Sequence, residues 1–148
     1  VPVCLNWDLQ RMKGIGEKLE KVEKPPMMWI VLVNRGEKIS TRSVFESIKS
    51  FSIEPPESSP VFKTRDLFLE YLISRGNDLE IPVVEKFPQI QNLLDAIKKT
   101  NGCSISRMSG SGATCFGIFL KKDDAYVASK KLSNSFPNAW IRVGELFS

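Results

Sequence analysis

The chain contains no histidine. That removes Cys-His and Ser-His-Asp nucleophile systems, and every histidine-based metal site, from the chemistry these residues can perform. Cysteine is scarce. Cys4, Cys103 and Cys115 are odd in number and their spacing matches no metal template. Cys103 and Cys115 fall in apolar, strand-like runs, where a free cysteine behaves as a small core residue, as expected in a reducing compartment. Long apolar runs are missing too. The longest, Met27 to Val33, falls well short of the roughly 20 residues needed to cross a bilayer, so no membrane partner is expected. No signal peptide is expected, and the sequence shows no internal repeat or low-complexity tract. The first residue is Val1 rather than Met, and the chain is expected to be a piece of something longer.

What is present is ordinary for a globular protein. The 148 residues suffice for one domain with a real core. The net charge of +4 is unevenly spread: residues 107 to 142 hold six Lys/Arg against Asp123 and Asp124, while elsewhere 15 charges of each sign balance. A weakly basic face favours an anionic partner, although a solvated helix surface is the simpler account of it.

The element pattern is readable along the chain. Val1 to Leu5 reads as the end of a strand, and Arg11 to Val22, with Gly14-Ile15-Gly16, as short strands with a bend. Pro25-Pro26 breaks that pattern, and Met28 to Val33 is the continuous apolar run of a strand buried on both faces. A helix is expected over Arg42 to Ser50, capped by Thr41 or Ser43, followed by a Pro/Ser-rich loop over Ile53 to Pro60. A helical face at 67, 68, 71 and 72 ends at Arg75-Gly76-Asn77-Asp78, and a short helix covers Leu79 to Lys86. Pro88 opens a helix whose Ile90, Leu93, Leu94 and Ile97 follow i, i+3, i+4, i+7 spacing. Strands at Cys103 to Met108 and Thr114 to Leu120 follow, then a helix capped by Asp123, then a strand at Ala139 to Val143. From Met28 onward this is the βαββαβ order of an α+β, ferredoxin-like sheet with extra helices in its first crossover, all packed on one face. Residues 1–26 are expected to be a remnant of short strands belonging to another domain, and residues 27–148 the domain proper.

Between the two middle strands lies Ser109-Gly110-Ser111-Gly112-Ala113. Alternate glycines allow positive φ or close approach of another group, and the hydroxyls between them can bond a neighbouring loop or an anion. A plain hairpin turn is the simpler reading. Neither the P-loop nor the dinucleotide fingerprint fits, because both lead into a helix and here a strand follows. Such a turn can only brace a phosphate site from the side.

Several stretches together resemble the GHMP kinases, and within them the branch acting on a cytidylated methylerythritol in non-mevalonate isoprenoid biosynthesis. Arg107-Met-Ser-Gly-Ser-Gly-Ala-Thr-Cys-Phe116 resembles the family's third signature. Val1 to Leu5 resembles the segment following its Gly-Ala-Asp. Gly14-Ile15-Gly16-Glu17, Trp29 to Gly36 with Ser40-Thr41 and Val44-Phe45, and Asn77-Asp78-Leu79-Glu80 match in the same order.

The resemblance implies a two-domain cytoplasmic kinase, with ATP and Mg²⁺ bound mainly by an N-terminal domain and a small cytidine-diphosphate substrate held between the domains. It implies that Phe45 stacks on the cytosine ring and that Thr41 lies near the substrate's diphosphate or methylerythritol. It also implies that Ser109, Gly110, Ser111, Gly112 and Ala113 support the phosphate loop. No metal ligand and no catalytic residue is expected here, since the family's catalytic Asp would precede Val1. The isolated chain is therefore expected to show no turnover in a kinase assay that detects the full-length protein. Arg35 stands where the family usually has Pro before Gly36, which puts the shape of that turn in question. Phe45 has a competing reading as a core aromatic, and Thr41 as a simple cap. Rival readings of the whole chain are another GHMP small-molecule kinase, or a standalone ferredoxin-like module for a ligand or RNA. Nucleic acid is not the expected partner, because Phe116 and Phe119 alternate to opposite sheet faces rather than pairing on one.

Overall fold

The unbroken run of β-branched and large apolar side chains in β3 (Met28–Asn34) has no polar alternation to offer solvent, so it takes a central position in the sheet. The computed structural model describes residues 9–14, 16–48 and 61–147. In it β3 is flanked on both sides by antiparallel partners, β5 (Cys115–Phe119) and β6 (Trp140–Leu146). β4 (Cys103–Met108) closes the other edge against β5, with a register shift between Cys103 and Ile105. The strand order β4-β5-β3-β6 is that of a ferredoxin-like sheet, as the sequence order predicts.

Alternation along the strands sorts two cores. Trp29, Val31 and Val33 share one face with Cys115 and Phe119, and pack with Ile90, Leu93, Leu94 and Ile97 of α4 (Pro88–Lys98) and Ala125, Ala128 and Leu132 of α5 (Lys122–Ser135). Ile90, Leu93 and Ile97 are fully buried, so the predicted helical stripe is the core stripe; each such side chain contributes about 1.5–3 kcal/mol of transfer free energy. Met28, Ile105 and Ile118 face the other way and meet Phe68 and Leu69 of α2 (Arg65–Ser74). The expectation that all helices share one face is thereby corrected: α2 covers the opposite one. The apolar stripe predicted for α2 shifts as well, since Leu67 is exposed and Leu69 buried. The β3 run, apolar on both sides, needs cover on both faces, and α2 supplies part of the second.

Two caps also differ from expectation. Ser40, neither Thr41 nor Ser43, caps α1 (Thr41–Glu46), its side chain accepting from the Ser43 amide. Lys121 precedes α5 without a side-chain cap, and Asp123 lies inside the first turn, where its charge still favours the helix end. α3 (Glu80–Lys86) and α4 follow each other through Phe87. β1 (Gln10–Lys13) and β2 (Lys18–Lys21) form a separate two-stranded sheet, matching the predicted short strands with a bend. The predicted strand at Val1 to Leu5 and the loop at Ile53 to Pro60 lie outside the described residues.

Candidate functional site

β3 ends at Asn34, whose side chain has two tasks. Its Oδ1 accepts from the Gly36 amide at 2.7 Å, and its Nδ2 donates to Thr114 Oγ1 at 2.9 Å. The first bond turns the chain toward α1; the second ties that turn to the far end of the glycine-rich loop. Arg35 does not prevent the turn, because Gly36 still adopts φ +88°. Its guanidinium lies over the Phe136 ring at 5.2 Å and its Nε is 3.6 Å from Glu37 Oε1. Arg35 thus holds the β3–α1 loop against the α5–β6 connection, a contact no proline can make.

Four residues after Arg35's partner Glu37, Thr41 begins α1. Thr41 Oγ1 and Ser111 Oγ are 2.9 Å apart and share a hydrogen bond across 70 residues of sequence. The predicted substrate residue and the predicted phosphate-loop brace therefore meet. Phe45 lies one helical turn further along, 55% exposed, while its neighbour Val44 is buried. The core-aromatic reading of Phe45 does not hold: the apolar contact of α1 is made by Val44. A cavity of about 130 Å³ beside α1 is lined by Ser40, Ser43, Val44, Ser47 and Phe87 among others. Neither Thr41 nor Phe45 lines it, and both are exposed.

The turn itself is closed by two backbone bonds, Ser109 N–H to Thr114 O at 2.8 Å and Gly112 N–H to Ser109 O at 3.0 Å. Gly110 and Gly112 have φ of +53° and +88°, values that L side chains rarely adopt. A Cβ on Gly110 would meet open space, whereas one on Gly112 would lie 2.8 Å from Met108 Sδ and 3.1 Å from Ile39 Cδ1. The predicted freedom of both glycines is thus used, and Gly112 is needed for space as well. Ser109 and Gly110 are exposed, and Ala113 is buried beneath them. Among the described residues, the N–H groups of Gly110, Ser111 and Ala113 take no hydrogen-bond partner. Of these, the Gly110 and Ser111 amides are successive, and successive free amides can form a concavity suited to anions.

The residues that hold this turn are ones that sequence reasoning left without a role. Asn77 Nδ2 donates to Met108 O at 3.0 Å and to Gly110 O at 2.8 Å. Glu80 Oε2 accepts from the Met108 amide at 2.7 Å. From sequence, Asn77 reads as the end of a helix and as part of the family-like stretch Asn77-Asp78-Leu79-Glu80, and nothing local reveals a partner 31 residues away. Beneath the turn, Cys115 is fully buried. Burial first, then the nearby carboxylates of Glu80 and Glu37, push its thiol up to about 12. It stays protonated at neutral pH and offers no nucleophile. No cluster of His, Cys, Asp and Glu among the described residues is arranged to hold a metal ion.

Curated relatives match nearly the full length of this chain. A protein of Cereibacter sphaeroides (strain ATCC 17025 / ATH 2.4.3), named 4-diphosphocytidyl-2-C-methyl-D-erythritol kinase, is 39% identical over 143 residues, 95% of this chain and 51% of the relative. One of the same name from Paramagnetospirillum magneticum (strain ATCC 700264 / AMB-1) is 39% identical over 149 aligned positions, 100% of this chain and 52% of the relative. Residues 66–138 match the family described as GHMP kinases C terminal. The chain belongs to the GHMP kinases. Its structure superposes on a crystal structure of 4-(cytidine 5'-diphospho)-2C-methyl-D-erythritol kinase with a TM-score of 0.69 and 25% identity, covering 94% of this chain and 50% of that one. This GHMP kinase chain therefore spans about half the length of the curated relatives it matches. The family match takes in Asn77, Glu80 and the turn, while Thr41 and Phe45 lie upstream of it.

Proposed function

We propose that the full-length protein carrying this chain transfers the γ-phosphoryl group of ATP to the 2-hydroxyl of 4-diphosphocytidyl-2-C-methyl-D-erythritol, a cytoplasmic step of isoprenoid biosynthesis. Residues 27–148 act as the C-terminal domain, and residues 1–26 connect it to an N-terminal ATP-binding domain. The separate sheet of β1 and β2 supports that division. So does the share of the relatives that the chain spans.

The observation that carries the reading is the Thr41–Ser111 hydrogen bond. It couples the helix presenting an exposed aromatic ring to the turn with free amides, so substrate and phosphate functions sit on one continuous surface. Phe45 supplies a flat apolar face for the cytosine ring, since every base has a π-face to stack. The Thr41 hydroxyl, at the start of α1, donates to the diphosphate or the methylerythritol. Ser109 to Ala113 brace the loop that holds the nucleotide phosphates. ATP supplies the phosphoryl group when bound. For such a transfer, protein groups act mainly by positioning and charge stabilisation. Mg²⁺ belongs with the ATP on the N-terminal domain.

Against a free-standing RNA-binding module, Phe119 is fully buried and Phe116 packs into the opposite core, so these two strand aromatics do not pair on one face. No helix among the described residues is long and apolar enough to cross a membrane. The full-length protein is expected to release ADP from ATP with the cytidylated methylerythritol and not with homoserine or mevalonate. Turnover with either of those two, and none with the cytidylated compound, sinks the reading.

A further inference from the structure

β4 is an edge strand, and an edge strand leaves a row of backbone donors and acceptors open. At its last residue, Met108, both outward groups are nonetheless occupied. The N–H is taken by the Glu80 carboxylate and the C=O by the Asn77 carboxamide. Asn77 uses its second N–H on Gly110 O, two residues on, and its Oδ1 accepts from the Leu79 amide at 3.1 Å. One carboxamide thus spans the entry to the glycine-rich turn while being anchored itself to the start of α3. The turn's other end is held by Asn34 through Thr114. Only Asn77 and Glu80 hold the Met108–Gly110 side by side-chain bonds among the described residues.

We propose that Asn77 and Glu80 are positioning residues that set the conformation of the Ser109–Ala113 turn, and through it the grip on the ATP phosphates. The second half of that statement rests on the kinase reading given above. The chemistry is specific. Asp in place of Asn77 has the same size but replaces the NH2 group, source of both donors, with one oxygen facing two carbonyl oxygens, a repulsive arrangement. Gln in place of Glu80 can still accept from the Met108 amide, whereas Ala cannot. Asn77→Asp and Glu80→Ala therefore loosen the turn, and Glu80→Gln preserves it.

Two measurements separate the parts. Amide hydrogen exchange on the 148-residue chain reads the Ser109 and Gly112 amides, both of which are hydrogen-bonded within the turn. Asn77→Asp and Glu80→Ala are expected to speed their exchange by about tenfold, with β3 and β5 amides unchanged and Glu80→Gln near wild type. Unchanged turn exchange in Asn77→Asp overturns the clamp. So does equal acceleration at every sheet amide, which marks general destabilisation. In the full-length kinase, Asn77→Asp is expected to raise KM for ATP by about fivefold or more, leaving KM for the cytidylated substrate within about twofold. A loosened turn with KM for ATP unchanged overturns the link to the nucleotide. A wild-type enzyme without kinase activity overturns the functional reading and that link together, while the exchange result still decides the clamp.

Discussion

Alanine at Gly112 is expected to destabilise the chain by about 1–3 kcal/mol and to do so more than alanine at Gly110. Both glycines have positive φ, +88° and +53°, so both replacements force an L side chain into a sparsely populated region. The φ of Gly110 falls within the range of the left-handed helical well, where a side chain costs roughly 1–2 kcal/mol, and a Cβ there meets open space. Gly112 lies outside that well, and its new methyl would come within 2.8 Å of Met108 Sδ and 3.1 Å of Ile39 Cδ1. Met108 is almost fully buried and has little room to move. Relief comes by shifting the turn away from Ile39, which precedes the Ser40 cap and Thr41. The Thr41–Ser111 bond is then stretched, so the full-length kinase is also expected to lose activity. Urea melts of the two variants read the first effect. Equal midpoints for Gly110→Ala and Gly112→Ala would show that space at Gly112 is irrelevant.

The second large effect falls on substrate and not on stability. Phe45→Ala in the full-length protein is expected to raise KM for the cytidylated substrate by about tenfold or more, since base stacking on an aromatic ring is worth about 1–3 kcal/mol. The ring is 55% exposed, so its loss leaves the melting curve nearly unchanged. Val44→Ala provides the contrast: Val44 is buried, and its truncation is expected to lower stability while sparing KM. An unchanged KM in Phe45→Ala, with the fold intact, removes Phe45 from the cytosine site.

Much of the fold was legible because its signals are local. Ile90, Leu93, Leu94 and Ile97 recur at helical spacing and all are buried. Pro88 stands at the helix start, where its missing N–H costs nothing. The strands from Met28 onward were found in the right order, and that order with short connections leaves few topologies. The caps were less legible. Ser40, Thr41 and Ser43 can each accept from a helix-start amide, and a single residue of offset decides among them.

The face covered by α2 could not be read from its sequence, because its apolar residues allow more than one stripe. Only the second face of β3, where Met28 is buried in one cluster with Phe68 and Leu69, settles which residues turn inward. The site divides in the same way. The alternate glycines drew attention to the Ser109–Ala113 turn by themselves, whereas Thr41 and Phe45 were singled out by the resemblance to the GHMP kinases. That Thr41 touches Ser111, and that Asn77 and Glu80 hold Met108 and Gly110, depends on bonds between residues 28 to 70 positions apart. Such pairings are set by how the crossover helices pack on the sheet, and a hydrogen bond a few tenths of an ångström too long carries no trace in the order of amino acids.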